Sequence, residues 1–272
     1  MQPRKRFGQH WLKNEQILNK IVTAAELKPS DRLLEIGPGT GILTRKLLPF
    51  CETLLSIEID RDLCKKLVKQ FGNIDNFLLL QGDFLAIDLA NYIQAFPKFQ
   101  NPQKVVANIP YNITGPILEK LLGNIAKPHT PKYELIVLLI QKEVAERLCA
   151  KPGTKAYSAL SVRVQYLADC ELICYVPSSA FYPPPKVDSA VVRIRPKNIE
   201  NPPKNPQHLD KLLKQGFGEK RKMLRNNLKS LVEREQLDKI MLQFDINPTA
   251  RAEDISLEQW IYLSNQLLEL HS

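Results

Sequence analysis

Arg32-Leu33-Leu34-Glu35-Ile36-Gly37-Pro38-Gly39-Thr40-Gly41 is the stretch on which the fold turns. Its first five residues read as a buried strand and its last five as a glycine loop, and Ile42, Leu43, Leu47 and Leu48 follow at helical spacing. Strand, glycine loop and helix in that order open a nucleotide-binding α/β fold. Glycine lets the backbone approach a ligand closely, and the helix N-terminus offers amide donors. Gly37-x-Gly39-x-Gly41 is not the GxGxxG of a nicotinamide enzyme, and the loop lacks the Lys-Ser/Thr ending of a phosphate-binding P-loop.

Working outward, an amphipathic helix is expected upstream over residues 14–27, with Ile17, Leu18, Ile21, Val22 and Ala25 on one face. Downstream, apolar runs predict strands at 53–58, 77–80, 104–107 and 133–140. The first ends in Glu58, the second runs into Gly82-Asp83, and the third delivers Asn108. Ligands of open parallel sheets bind at the carboxyl ends of the strands, so Gly37, Glu58, Asp83 and Asn108 should converge on one crevice. A carboxylate in the place of Glu58 accepts ribose hydroxyls. Together with Asp83, the pattern fits S-adenosylmethionine better than a dinucleotide.

The corner Asn108-Ile109-Pro110-Tyr111 is where the chemistry is expected. Proline holds the residue before it extended, so this is a rigid turn. The side-chain carbonyl of Asn108 and the backbone carbonyl of Ile109 can accept the hydrogens of an exocyclic amine, and Tyr111 offers a stacking face. A strand-to-helix turn with a capping Asn is the plain alternative, which the neighbouring acids argue against.

Helices are expected at 141–149 and 158–165, and a sixth strand at 171–176. A proline run at 183–185 then forces an extended loop; Phe181 or Tyr182 before it, with Phe181 favoured, is expected to project over the crevice, the plain alternative being that both rings pack the loop down. Residues 189–194 are expected to close the sheet. From Pro196 to Pro206 the chain carries four prolines and little apolar content, which marks residues 197–206 as a linker. Beyond it the strand–helix alternation stops, and helical spacing recurs at 209–215, 220–232, 235–243 and 255–270. The expected organisation is an α/β domain over 1–196 and a small helical domain over 207–272.

Composition sets the outer limits. The chain has 272 residues, 44% hydrophobic and 25% charged, as in an ordinary globular protein. No apolar run approaches the ~20 residues a membrane span needs, and the basic N-terminus lacks the apolar core of a secretory signal, so a cytoplasmic protein is expected. Five cysteines form no CxxC pair and the four histidines are scattered; reduced, mostly buried thiols and no metal are expected. The net charge of +9 is unevenly placed. Arg4, Lys5, Arg6, Lys13 and Lys20 crowd the first twenty residues, and Lys211, Lys214, Lys220, Arg221, Lys222, Arg225 and Lys229 crowd a second segment. One such cluster is explained by a solvated helix face; two in one chain point to a polyanion, and to nucleic acid in particular.

Several motifs occur together and in order: Phe7-Gly8-Gln9-His10-Trp11-Leu12, Glu35-Ile36-Gly37-Pro38-Gly39-Thr40-Gly41, Ile57-Glu58, Gly82-Asp83, Asn108-Ile109-Pro110-Tyr111, and Phe181-x-Pro-x-Pro-Lys-Val-Asp-Ser. With the basic block Phe217–Leu228, they make the whole chain closely resemble the KsgA (RsmA) rRNA adenine dimethyltransferases. Three positions depart from the family: His10 is often Asn there, Trp11 usually Phe and Ile109 often Leu. The resemblance implies a Rossmann-like class I methyltransferase sheet with a helical C-terminal domain. It implies S-adenosylmethionine as cofactor, held by His10, Leu12, Gly37, Gly39, Gly41, Glu58, Asp83 and Asn108. Asn108, Ile109, Pro110, Tyr111 and Phe181 would handle the target adenine, and Arg4, Lys5, Arg6, Lys220, Arg221, Lys222 and Arg225 the RNA. The implied substrate is a pair of adjacent adenosines near the 3′ end of 16S rRNA, in the small (30S) subunit during its biogenesis, with the free protein a monomer. An Erm-type enzyme acting on 23S rRNA shares the catalytic motifs, and a ribosome-assembly or transcription factor on the same scaffold is the alternative of another class.

Overall fold

The computed structural model describes residues 3–4, 7–129 and 133–270. The chain divides into two compact units, and the first comprises Met1–Leu121, Pro131–Ala145 and Cys170–Pro196. It opens with β1 (Trp11–Leu12) and α1 (Glu15–Ala24), whose N-cap Asn14 accepts the Ile17 N–H. There follow β2 (Arg32–Ile36), α2 (Ile42–Leu47), β3 (Thr53–Glu58), α3 (Arg61–Phe71) and β4 (Phe77–Gln81). Next are α4 (Leu89–Tyr92), β5 (Lys104–Asn108), α5 (Thr114–Leu122), β6 (Leu135–Gln141) and α6 (Lys142–Leu148).

These strands lie in the order β4-β3-β2-β5-β6, all parallel. Parallel strands covered on both faces read as continuous apolar runs, and β6 shows this most fully, with Leu135–Ile140 buried throughout. The strand order reverses between β2 and β5, the switch point at which such sheets open a ligand crevice. Leu33 pairs with Lys104 and Leu34 with Val105; continuing that register sets Asn108 level with Gly37.

After α7 (Ala159–Leu167), the chain forms β7 (Ala168–Val176), β8 (Phe181–Tyr182) and β9 (Ser189–Pro196). β9 does not close the sheet as expected. It enters between β6 and β7, antiparallel to β6, and leaves β7 as the edge of a seven-stranded sheet. Burial accounts for this order: Ala190, Val191 and Val192 are covered on both faces, whereas β7 is buried only at its ends, Ala168 and Val176, and is partly or fully exposed between them.

The second unit comprises Leu122–Thr130, Glu146–Asp169 and Lys197–Ser272. It contains α7, α8 (Pro206–Gly216), α9 (Leu224–Asn227), α10 (Arg234–Leu242) and α11 (Leu257–Glu269). The expected boundary at residue 196 therefore assigned residues 146–169 to the wrong body. The Tyr157 ring meets Phe217 at 6.5 Å, Phe217 meets the buried Trp260 at 5.5 Å, and Arg163 pairs with Asp210 at 2.9 Å. The expected helix over 220–232 shrinks to α9. Met223 is held extended by a β-bridge to Arg251, and the Leu224 N–H goes to the Ala250 carbonyl instead of an earlier helical turn. The expected linker is irregular but anchored, through Lys197 N–H to Leu167 O and Lys204 N–H to Asn265 Oδ1.

All five cysteines are free thiols, and only Cys51 and Cys64 are buried, fewer than expected. Among the described residues no helix is long and apolar enough to cross a membrane, and no group of His, Cys, Asp or Glu could hold a metal ion.

Candidate active site

The carboxyl ends of β2, β3, β4 and β5 surround a cavity of about 260 Å³. Its wall includes His10, Leu12, Gly37, Gly39, Glu58, Asp83, Asn108, Ile109, Pro110 and Tyr111, so ten of the residues singled out by sequence meet around one space. Gly41 and Phe181 are not on that wall.

The glycine loop is satisfied internally. The Gly37 N–H donates to Ile57 O at 2.9 Å, the Gly39 N–H to Glu58 Oε2 at 3.0 Å and the Gly41 N–H to Pro38 O at 2.9 Å. Gly39 sits at φ 59°, and a Cβ there would lie 3.4 Å from Trp11 Cδ1. Gly41, at φ 80°, has a different task, since a Cβ there would fall 2.5 Å from the Phe71 ring. It permits α2 to pack on α3 and touches no ligand space.

Glu58, 4% exposed at the end of β3, accepts from Gly39 N–H and, at 2.9 Å through Oε1, from Asp60 N–H. Burial pushes its carboxyl above the usual range, and the two backbone donors oppose the rise. Asp83 is exposed and uses Oδ1 to accept the Leu85 N–H at 2.9 Å.

At the β5 corner the Asn108 Nδ2 donates to the His10 carbonyl at 3.2 Å. A carbonyl can only accept, so the amide orientation is settled by this bond and Asn108 Oδ1 is turned away from it. Pro110 is extended at φ −60° and ψ 135°, and Tyr111–Ile113 form a turn of 3₁₀ helix. The Tyr111 hydroxyl bonds Ser189 Oγ. Asp188, next to it, is fixed by Ser178 N–H to its Oδ1 at 2.9 Å and Lys142 N–H to its carbonyl at 3.0 Å. The His10 ring stacks on Tyr111 with centroids 5.9 Å apart, and its Nδ1 lies 2.7 Å from Pro183 O. That contact requires the proton on Nδ1.

Phe181 does not project over the cavity. It pairs with Leu12 across β8 and β1, is 4% exposed, and belongs to the core cluster that contains Leu18 and Ile21. Its neighbour Tyr182 is the outward ring, 47% exposed with Lys13 Nζ 4.2 Å from its centroid.

Two wall residues received no role from the sequence. Trp11 Nε1 and Glu35 Oε1 are both buried without a hydrogen-bond partner. Glu35 is 1% exposed, and its other oxygen accepts from Thr44 Oγ1 at 2.7 Å and Ser56 Oγ at 2.9 Å. An acid inside an apolar strand was the available signal. Burial pushes its carboxyl from 4.5 up to about 7, the two hydroxyls oppose this, and the charge of Glu58 adds to it. The folded-state value is raised, so this group's contribution to stability is complete below pH ~4.5 and is lost as pH rises through 7. The loss approaches roughly 3 kcal/mol at 1.36 kcal/mol per unit. Glu35→Gln should therefore gain stability relative to the parent between pH 5 and pH 8 in denaturant melts; parallel pH profiles would refute it.

The basic residues divide. Arg4 is held by Asp60 at 3.0 Å and Asp62 at 2.5 Å, and Lys5 and Arg6 lie outside the described residues. Lys220 and Arg221 are exposed, and Lys222 is exposed and paired with Glu219 at 2.8 Å. Arg225 is a poor phosphate contact: its side chain is only 15% exposed and pairs with Asp238.

Comparison with known proteins adds an independent line. A family model described as ribosomal RNA adenine dimethylase matches residues 1–269. The chain is 65% identical to the ribosomal RNA small subunit methyltransferase A of Trichormus variabilis, covering 98% of each chain. It is 64% identical to the protein of that name from Nostoc punctiforme, over 98% of this chain and 96% of the relative. Among solved structures it resembles a dimethyladenosine transferase from Plasmodium falciparum at TM-score 0.76 and 31% identity, covering 96% of this chain and 98% of that one. It also resembles the 23S rRNA methyltransferase ErmE at TM-score 0.74 and 26% identity, covering 94% and 99%.

Proposed function

The chain belongs to the ribosomal RNA adenine dimethylase family, and from that membership we propose how its residues carry out the reaction. It is an S-adenosylmethionine-dependent rRNA adenine dimethyltransferase acting on 16S rRNA. We assign as its target two adjacent adenosines near the 3′ end, in the small subunit during biogenesis, with the free protein a monomer that needs no metal. Identity of 65% to a small-subunit enzyme against 26% to ErmE favours this over a large-subunit target.

The cavity fits the cofactor on two observations. Gly39 lacks the Cβ that would crowd the space beside Trp11, and the wall carries two buried polar atoms with unmet hydrogen-bonding capacity. S-adenosylmethionine, when bound, supplies an activated methyl on a sulfonium. Glu58 is placed to accept ribose hydroxyls and Asp83 to accept the amine of the cofactor's adenine. The rest falls to the β5 corner. The lone pair of a target adenine N6 is delocalised into its ring, which makes it a poor nucleophile. Asn108 Oδ1 and the Ile109 carbonyl accept the two N6 hydrogens, favour a pyramidal nitrogen and aim its lone pair at the methyl; this is catalysis by positioning and electrostatics. The proton leaves once N6 has become cationic, so no dedicated base is needed.

A stacked base cannot reach the corner and must be flipped out. Tyr111, tethered to Ser189, replaces part of the lost stacking. With its ring packed in the core, Phe181 supports Leu12 and the N-terminal wall in place of a second stacking face.

The observation that carries this reading is the Asn108 amide, turned by His10 so that its oxygen is the group available to an incoming amine. Incubation with labelled cofactor and separated ribosomal subunits tests it: label should enter unmethylated small subunits, and label in large subunits alone would contradict it. Neutralising Lys220, Arg221 and Lys222 together should weaken subunit binding and lower the slope of log affinity against log salt by roughly 2, with cofactor affinity unchanged. A loss of cofactor affinity in that triple variant would remove these residues from the RNA surface.

A further inference from the structure

We propose that the indole N–H of Trp11 is a ligand of the cofactor's carboxylate, a hydrogen bond that anchors the amino-acid end of S-adenosylmethionine against the glycine loop. The inference deepens the reading above and rests on it. S-adenosylmethionine brings three polar regions into the cleft. The adenine amine and the ribose hydroxyls present hydrogens, and the wall answers with the acceptors Asp83 and Glu58. The carboxylate is the opposite case, an acceptor-only anion that must find donors.

Cationic donors and the N–H groups of the loop glycines are missing or spent among the described residues. Among the described residues no Lys or Arg is on the cavity wall. The N–H groups of Gly37, Gly39 and Gly41 are taken by Ile57 O, Glu58 Oε2 and Pro38 O. The Gln9 amide, also on the wall, gives one of its two hydrogens to Asp60 Oδ2 at 3.2 Å. Trp11 Nε1 is different: it is a donor, it is shielded from water, and no described group accepts from it. It lies 3.5 Å from the point where a Cβ on Gly39 would stand, so the absence of a side chain at Gly39 keeps the space beside the N–H clear. The backbone on both sides is held, by Asn108 on the His10 carbonyl and by the Leu12–Phe181 pairing. On this anchored segment the indole N–H would hold the cofactor's carboxylate by donating to one of its oxygens.

The test separates this bond from cofactor binding in general. Trp11→Phe retains an aromatic ring and removes the donor. Its affinity for S-adenosylmethionine and S-adenosylhomocysteine should fall about tenfold, the size expected for one charge-assisted hydrogen bond. Affinity for 5′-methylthioadenosine, which lacks the amino-acid end, should not change. In the unaltered chain, which has two tryptophans, one ¹⁵N-indole resonance should move downfield on adding S-adenosylhomocysteine and stay in place with methylthioadenosine. Equal weakening of all three ligands, no weakening of any, or an indole shift common to both nucleosides would overturn the Trp11 assignment while leaving the cofactor reading intact. Failure of the unaltered chain to bind any of them would overturn both.

Discussion

Asn108→Ala is expected to slow methyl transfer to adenine by about 10²–10³-fold in single-turnover experiments, the usual cost of removing one preorganised hydrogen-bonding group from a reacting centre. The alanine would keep the end of β5 in place, because Asn108 makes its ladder contacts through the backbone opposite Leu139. What is lost is the oxygen held toward the incoming amine, and with it the bias toward a pyramidal N6. Asn108→Asp should not restore the rate. The parent amide donates to the His10 carbonyl through Nδ2, and a carboxylate oxygen in that place would face another acceptor. Cofactor binding, measured by calorimetry, should suffer far less than transfer. A rate within about tenfold of the parent would place the amine acceptor elsewhere.

Glu58→Gln should weaken S-adenosylmethionine binding by about 10–100-fold, the range expected for hydrogen bonds to a charged group. Both carboxylate oxygens accept backbone N–H groups, from Gly39 and from Asp60. An amide has only one acceptor oxygen, so its NH₂ must oppose one of those donors. Either the glycine loop or the turn after β3 then has to move, and the ribose loses a strong acceptor as well. Titration of the purified variant with cofactor decides it; parent-like affinity would remove Glu58 from the site.

The contrast between what the residues revealed and what they concealed has a physical pattern. β2 and β3 were legible to the residue because each is a buried apolar run closed by an abrupt change, Gly37 in one case and Glu58-Ile59-Asp60 in the other. The Asn108 corner was legible because proline restricts its neighbour whatever the tertiary context. Features set by distant partners were not. Nothing local to Tyr157 announces that it will pack near Phe217 and Trp260, and so residues 146–169 were placed with the wrong unit. An aromatic before a proline run looks the same whether it projects or packs inward; pairing with Leu12 decides it for Phe181. Arg225 could not be told from its exposed neighbours until Asp238 appeared beside it, nor Gly41 from the other loop glycines until Phe71 did.

The central claim is that the corner of Asn108 to Tyr111 places two methyl groups on N6 of each of two adjacent adenosines. Its most direct test is mass spectrometry of nucleosides and RNA fragments from unmethylated small subunits after incubation with the protein and S-adenosylmethionine. The account predicts N6,N6-dimethyladenosine at two neighbouring positions near the 3′ end of 16S rRNA, and its loss with Asn108→Ala. Methylation at another atom of adenine, or dimethyladenosine formed equally well by Asn108→Ala, would contradict it.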